Sequence, residues 1–233
     1  MNVTKEMEAN NMDHHQHHNN HGVNDVHPEV TYSQGTLVIE LKDKHGDVPE
    51  LQVSHEKIMH LIVMRADLSQ YHHLHPEKQA DGKYVQKIDL PKGHYKVFVD
   101  INPKDLNYAV KPIRLNVDED HDVSPKANLI ADTNFTKTIK GQTVELTTDT
   151  IETNKEVTFT FDVKDAKPEP YLGALGHVVI TDEAGEKFIH VHPASENETV
   201  FSTQFDERGM YKMWAEFKLN GTVIVYPFVI EVQ

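Results

Sequence analysis

The sequence contains no cysteine, and its basic residues are outnumbered by its acidic ones. Without thiols the chain cannot form a disulfide, a thiolate metal site, an iron–sulfur cluster or a cysteine nucleophile. Lys and Arg total 23 against 37 Asp and Glu, which gives a net charge of −14. Nucleic acids and anionic membranes bind basic surfaces, so both are disfavoured as partners, whereas metal cations are attracted.

Long apolar runs are also missing, so no transmembrane segment is expected in the chain. The first residues, MNVTKEMEANNMDHH, lack the apolar core of a secretory signal. Two interpretations stay open: a cytosolic protein, or an exported chain whose leader has been removed. The sequence motifs of nucleotide binding and of hydrolytic catalysis are absent as well, and we expect a protein that is not an enzyme.

Histidine is the residue in excess, with 17 copies, and several cluster in the range 1–27. This range has no apolar period, so it predicts a disordered tail. The broken run of imidazoles suits the collection of metal ions at low affinity; an appended purification tag is the alternative. The tail histidines concerned are His14, His15, His17, His18 and His21.

The remainder of the chain consists of short runs of β-branched and aromatic residues separated by turn residues. TLVIEL (36–41), YKVFVDI (95–101) and VTFTFDV (157–163) are examples, and helical periodicity is hard to find. Many short strands with turns every 8 to 12 residues are typical of β-sandwiches. The predicted class is all-β, with two tandem immunoglobulin-like (cupredoxin-like) β-sandwich domains behind the disordered tail.

An internal repeat supports the two-domain prediction. HLIVMRADLSQYHHLHP (60–76) aligns with HVVITDEAGEKFIHVHP (177–193) at an offset of 117. Further blocks align in the same order at offsets of 116 and 115, as expected when loops shorten and strands stay. The predicted domains are 28–120 and 121–233, with a polar linker at the junction.

Each repeat contains the pattern His-x12-His-x-His-Pro. If the first copy forms a hairpin that turns around Asp67 and Leu68, Ile62 lies opposite His73. Side chains alternate between the faces of a strand, and cross-strand partners share a face. One face of the hairpin therefore presents three imidazoles, which suits Zn(II) or Cu(II) with one coordination position left open. The first predicted triad is His60, His73 and His75.

The second repeat predicts a second triad, formed by His177, His190 and His192. Asp100 and Glu216 occupy the same register in the two repeats. Each carboxylate has three open roles: a fourth metal ligand, a group that orients a histidine from behind, or a member of a surface pair. Additional histidines near the first triad favour the first repeat as the tighter site.

Other interpretations of the repeated histidines remain open. They could be structural, for example hydrogen-bonded at a domain interface, or they could form a pH-responsive cluster. Phe98 aligns with Trp214, the only tryptophan, and this matched pair predicts a buried aromatic anchor.

The residues that carry the pattern also resemble a known group. HEKIMHLIVMRADLSQYHHLHPE (55–77) with GHYKVFVDINPK (93–104), and PYLGALGHVVI…FIHVHP (170–193) with GMYKMWAEFKLNG (209–221), resemble the HxHP motifs of exported bacterial proteins associated with copper and other heavy metals. The resemblance covers most of 35–233. It implies metal binding by the two triads and Asp100, with copper ahead of zinc. It also implies an extracytoplasmic location, secreted or lipid-anchored; Glu216 departs from the family pattern, which often has Gln there.

The sequence therefore predicts an extracytoplasmic protein that buffers, captures or transfers copper, with zinc second. Metal ions are the expected partners, with a metal-transport or surface protein as a further one. The alternative is a non-catalytic immunoglobulin-like interaction module of the cell surface whose histidines are structural.

Overall fold

The computed structural model of the chain describes residues 24–54, 56–118, 126–191, 193 and 195–233. All the regular elements among these residues are β-strands, and none of their segments is a helix that could span a membrane. The strands are β1 (Val26–Ser33), β2 (Thr36–Asp43), β3 (Leu51–Gln52), β4 (Met59–Arg65), β5 (Tyr71–Leu74), β6 (Glu77–Ala80), β7 (Lys83–Lys87), β8 (Gly93–Pro103), β9 (Ile113–Val117), β10 (Thr136–Ile139), β11 (Gln142–Thr148), β12 (Glu156–Val163), β13 (His177–Asp182), β14 (Ile189–Val191), β15 (Val200–Gln204), β16 (Gly209–Leu219) and β17 (Thr222–Val232).

Two antiparallel sheets build the first repeat. One has the strand order β1-β2-β7-β6, and the other has the order β3-β8-β4-β5 with β9 also paired to β8. Leu37 and Ile39 of the first sheet and Leu61, Val63 and Val97 of the second belong to one buried core. The apolar faces of the two sheets therefore pack on each other as a sandwich.

The second repeat has the same construction. Its sheets have the orders β10-β11-β12-β15 and β14-β13-β16-β17. Val144 and Phe159 of the first sheet share a buried core with Val178, Phe217 and Phe228 of the second. Each repeat thus buries its own apolar surface and forms a separate sandwich.

The strands that carry the first histidine of each repeat are buried on both faces. In β4, Leu61 and Val63 point into the sandwich core, whereas His60 and Ile62 lie on the opposite face. Alternation along the strand produces this division. It explains why the sequence here is a continuous apolar run instead of an alternating one, because neither face of the strand meets water.

The outward faces of β4 and β13 meet each other between the two repeats. A separate apolar cluster there combines Ile62, Met64 and Phe98 of the first repeat with Val179 and Trp214 of the second, all of them buried. The matched aromatic pair is therefore buried, as predicted, but it lies between the sandwiches and not inside either core.

The contact between the repeats has an approximate two-fold symmetry. Tyr71 stacks on Trp214 with ring centroids 4.7 Å apart, and Phe188 stacks on Phe98 at 5.1 Å. In the alignment of the repeats Tyr71 corresponds to Phe188, and Phe98 corresponds to Trp214. The same contact is thus made twice in opposite directions, as in an isologous dimer interface.

The predicted all-β class and the two tandem immunoglobulin-like sandwiches are confirmed. The predicted hairpin register is also confirmed, with Ile62 opposite His73 and Met64 opposite Tyr71. The predicted tail is too long, because β1 begins at Val26, whose side chain is fully buried. Val26 and Val30 share the buried face of β1, but Pro28 stands between them, so the apolar alternation along this strand is weak in the sequence. The short strands β3, β6 and β10 were likewise not predicted.

Candidate metal centre

The hairpin of β4 and β5 assembles the first histidine triad. His73 pairs with Ile62 across the hairpin, which places it on the same sheet face as His60. His75 follows the end of β5, and its Nε2 atom lies 3.3 Å from Nδ1 of His60. All three predicted residues of the first triad are therefore brought together, on the face that meets the second repeat.

The three imidazoles aim nitrogen atoms at one point. Nδ1 of His60 lies 3.0 Å from Nε2 of His73, and one nitrogen from each of the three rings lies within 4.8 Å of the others. Nitrogen–metal bonds of about 2.0–2.1 Å in tetrahedral geometry place neighbouring ligand atoms roughly 3.3 Å apart. The two separations from Nδ1 of His60, 3.0 Å to His73 and 3.3 Å to His75, are close to that value, so the three nitrogens can converge on a metal ion.

On His60 and His73, one ring nitrogen donates a hydrogen bond away from the triad, and the other ring nitrogen faces the centre of the triad. His60 donates from Nε2 to the carbonyl oxygen of Ser54 at 3.1 Å, and His73 donates from Nδ1 to Glu216 at 3.0 Å. In its neutral form an imidazole carries one hydrogen, so when both rings are neutral Nδ1 of His60 and Nε2 of His73 both present lone pairs. Two lone pairs 3.0 Å apart repel unless a cation, either a proton or a metal ion, lies between them.

The two predicted carboxylates act across the interface. Asp100 pairs with His60 on the neighbouring strand, yet its Oδ2 accepts a hydrogen bond from Nδ1 of His190 at 2.8 Å. Glu216 pairs with His177 and accepts its hydrogen bonds from His73 and from the hydroxyl of Tyr71. Of the three roles left open by the sequence, this arrangement matches that of a carboxylate that orients a ligand histidine from behind.

The second repeat copies the first as far as it is described. His177 donates from Nε2 to the carbonyl oxygen of Tyr171 at 2.8 Å, as His60 does to Ser54. Its Nδ1 atom is buried and has no hydrogen-bond partner among the described residues. The rings of His177 and His190 have centroids 6.1 Å apart.

Some predicted ligands lie outside the described residues, and their metal binding stays a prediction. They are His192 of the second triad and the tail histidines His14, His15, His17, His18 and His21.

The two sets of histidines adjoin each other. Ring centroids of His60 and His190 are 5.4 Å apart, those of His73 and His190 are 5.6 Å apart, and those of His73 and His177 are 6.0 Å apart. The sequence could not decide whether the triads are close in space. The structure places their described members in one cluster at the contact between the repeats.

Burial favours the uncharged form of three of these imidazoles, those of His60, His75 and His177. Burial, reinforced by the nearby His73, lowers the pKa of His60 to about 4, although the hydrogen bond to Ser54 opposes this shift. Burial and the neighbouring histidines lower the pKa of His75 to about 3, and burial also lowers the pKa of His177. At neutral pH these rings therefore keep the lone pairs that a metal ion needs.

Glu216 behaves in the opposite way and stays charged. Burial favours its neutral form, but the positive potential of His73 and the hydrogen bonds from His73 and Tyr71 outweigh burial and hold the pKa of Glu216 below its usual value. Its side chain is only 2% exposed. One full negative charge therefore lies directly behind a ring of the first triad, where it would compensate part of the charge of a bound cation.

Tyr71 and the carbonyl groups of Ser54 and Tyr171 were not identified from the sequence. Burial and the nearby Glu216 raise the pKa of Tyr71 well above its usual value, so the hydroxyl stays protonated and donates. Strand alternation places Tyr71 on the same face as His73, which was a usable signal. The carbonyl groups carry no side-chain signal, because their orientation depends on the loop backbone.

The chain belongs to a family described as a domain of unknown function, DUF8832, which matches over residues 16–119 and again over 137–233. The two matches correspond to the two sandwiches, so both repeats derive from one domain type. No curated protein sequence matches the chain significantly.

Three solved structures illustrate how distant the structural neighbours are. The Escherichia coli adhesin FdeC shares 16% identity and a TM-score of 0.26, with 90% of this chain and 64% of that one covered. The chicken CNTN1 FN1–FN3 domains share 11% identity and a TM-score of 0.26, with 88% of this chain and 66% of that one covered. The BSP domain of a biofilm associated protein shares 13% identity and a TM-score of 0.23, with 88% of this chain and 29% of that one covered. The chain spans less than two thirds of each neighbour, and these scores are too low for a functional comparison.

Proposed function

We propose that this DUF8832 protein binds a transition-metal ion through His60, His73 and His75. The convergence of one nitrogen from each ring is the observation that carries the proposal. The lone pairs that face each other at 3.0 Å between His60 and His73 need a cation, and a metal ion supplies it.

Copper is the first candidate for this ion, and zinc is the second. Imidazole suits both metals, but affinity for a given set of nitrogen ligands rises to a maximum at Cu(II) in the series of divalent ions. The resemblance of the HxHP motifs to proteins of copper handling favours the same order.

The proposed role is the buffering, capture or transfer of metal outside the cytoplasm, without turnover of a substrate. The groups beside the triad support binding over catalysis, because Glu216, Tyr71 and Asp100 are hydrogen-bonded and serve to hold rings in place. His75 is only partly buried, so it offers incoming ions, or a metal-transport or surface protein, a path to the site.

Calorimetry with Cu(II), Cu(I) and Zn(II) tests the proposal. The His73→Gln/His75→Gln double variant should lose one tight site, while the matched His27→Gln/His45→Gln variant, which changes two exposed histidines of the first repeat, should keep it. To separate the tail from the triad, the parent protein and both variants are also prepared with the five tail histidines replaced by asparagine. If the parent protein without tail histidines binds no transition metal at micromolar concentration, the proposal is wrong.

A structural role of the histidines is the second candidate, and a specific observation favours it. The hydrogen bonds from His73 to Glu216 and from His190 to Asp100 join the two repeats, as expected in an interaction module with a fixed domain arrangement. A structural role predicts that the double variant loses thermal stability without metal. A ligand role predicts near-native stability without metal and the loss of metal-induced stabilisation.

A further inference from the structure

We infer that the two repeats form one paired metal centre, in which a second transition-metal ion is held by His177 and His190 beside the ion of the first triad. This inference rests on the proposed function of the first triad and adds a neighbouring site to it. His177 and His190 both belong to the described part of the second repeat.

His177 is oriented as a ligand in the same way as His60. Both rings donate from Nε2 to the backbone carbonyl of an equivalent loop, at 2.8 Å to Tyr171 and at 3.1 Å to Ser54. His177 is 0% exposed, and its Nδ1 atom has no hydrogen-bond partner in the described part of the chain. Burying a polar atom without a partner is costly, and a bound cation would remove that cost.

His190 repeats the orientation of His73. Its Nδ1 atom donates to Asp100 at 2.8 Å, and its side chain is fully buried. The remaining nitrogen, Nε2, is also buried, and in the neutral form of the ring it carries the lone pair. Thus Nδ1 of His177 and Nε2 of His190 correspond atom for atom to the two nitrogens of His60 and His73 that lie 3.0 Å apart.

The charges are arranged for two ions. Asp100 lies behind His190, and Glu216 lies behind His73, so each pair of histidines has its own carboxylate. In both cases the carboxylate comes from the opposite repeat. One carboxylate per site, when ionised, compensates part of the charge of each ion and limits the repulsion between them.

The two sites are close because the rings of the two repeats are in contact. The centroids of His60 and His190 are 5.4 Å apart. With nitrogen–metal bonds of about 2.0–2.1 Å, ions bound to these two rings lie at most about 12 Å apart. At this distance the unpaired electrons of two Cu(II) ions interact measurably.

The sites differ in how far they are assembled without metal. The centroids of His177 and His190 are 6.1 Å apart, whereas those of His60 and His73 are 5.2 Å apart. Rings that start further apart must move to bind, so we expect the first repeat to fill first and the second repeat to bind more weakly.

Native mass spectrometry and Cu(II) electron paramagnetic resonance test the paired centre. The protein used is the full chain with its five tail histidines replaced by asparagine. We expect two bound ions and a spectrum broadened by spin–spin interaction at full loading. The His177→Gln variant should bind one ion and give a narrow spectrum, whereas His45→Gln, which changes an exposed histidine, should match the parent.

The outcomes separate the two claims. A parent that binds one ion with a narrow spectrum overturns the paired centre and leaves the proposed function intact. Two ions with non-interacting spectra also overturn it, and no bound ion overturns both claims. Because the parent protein decides these cases, a His177→Gln variant that fails to fold does not obscure the result; near-ultraviolet circular dichroism monitors folding.

Discussion

Glu216 of the second repeat accepts a hydrogen bond of 3.0 Å from Nδ1 of His73 in the first repeat. Asp100 and His190 make the same contact in the reverse direction at 2.8 Å. A histidine of each repeat is therefore held in place by the other repeat. Metal affinity and the association of the two sandwiches are consequently linked, because a change in either contact alters both.

Replacing Glu216 by Gln should weaken metal binding by about 10- to 100-fold, the usual effect of losing a carboxylate behind a ligand histidine. The amide keeps the shape of the side chain but removes its charge. Competition with a chelator measures the affinity of the full chain with its tail histidines replaced. Glu231→Gln on the exposed side of β17 is the control and should leave the affinity unchanged. Equal affinities in the two variants would contradict the orienting role.

Replacing Tyr71 by Phe should lower the free energy of unfolding by about 1–3 kcal/mol, the cost of leaving a buried charged group short of a donor. The ring itself fits, since Phe188 stacks at the equivalent place in the second repeat. Urea unfolding of the metal-free protein measures the loss. Tyr226→Phe removes a hydroxyl that donates to the neutral carbonyl of Gln142, so its effect should be smaller. The reverse order would be evidence against a charged Glu216.

The metal-free protein should lose stability as the pH falls from about 6.5 to 4. The pKa of His60 is about 4 in the folded protein and 6.5 in the unfolded chain. The unfolded chain therefore binds more protons in this pH window. Stability therefore rises with pH there and is fully present above pH 6.5. Between pH 7.5 and pH 5, His60 alone accounts for a loss on the order of 2 kcal/mol.

Urea unfolding in the presence of a chelator at these two pH values measures the loss. A His60→Gln variant removes one titrating group and should show a flatter dependence on pH. His45→Gln changes an exposed histidine and should follow the parent. A parent whose stability is the same at pH 7.5 and pH 5 would show that the buried imidazoles take up protons freely.

Cu(II) should quench the fluorescence of Trp214, the only tryptophan in the chain. The indole is 4% exposed and stacks on Tyr71, whose hydroxyl bonds to Glu216 beside the first triad. One equivalent of Cu(II) added to the tail-substituted protein should quench the emission, whereas Zn(II), which has a filled d shell, should not. The His73→Gln/His75→Gln variant should be quenched less at the same low Cu(II) concentration, because only the weaker site of the second repeat remains; unchanged quenching would place the copper elsewhere.

The sequence was sufficient for the local geometry of the first triad. Strand alternation and a turn at Asp67 and Leu68 placed Ile62 opposite His73, and the structure has that register. These features depend on neighbours along the chain and across one hairpin, where the period of two is strict. The repeat itself was visible because both copies keep the spacing of their histidines.

The partners of the carboxylates could not be predicted from the same information. Asp100 and Glu216 were matched to each other as equivalent residues of the two repeats, and in the structure they pair with His60 and His177. Their hydrogen bonds go instead to histidines of the opposite repeat, which depends on how two separate sandwiches pack. No pattern within either repeat encodes that packing, apart from the unbroken apolar run in β4 that marks a strand buried on both faces.

The reciprocal contact between the repeats has a consequence for how this protein behaves on dilution. Two separate copies joined by such a surface would dissociate at low concentration, and the carboxylate behind each histidine would leave with the partner. Here both halves lie on one polypeptide, so their encounter is intramolecular and has a fixed effective concentration. The assembled cluster should therefore persist however scarce the protein becomes, as the proposed capture of trace ions would require.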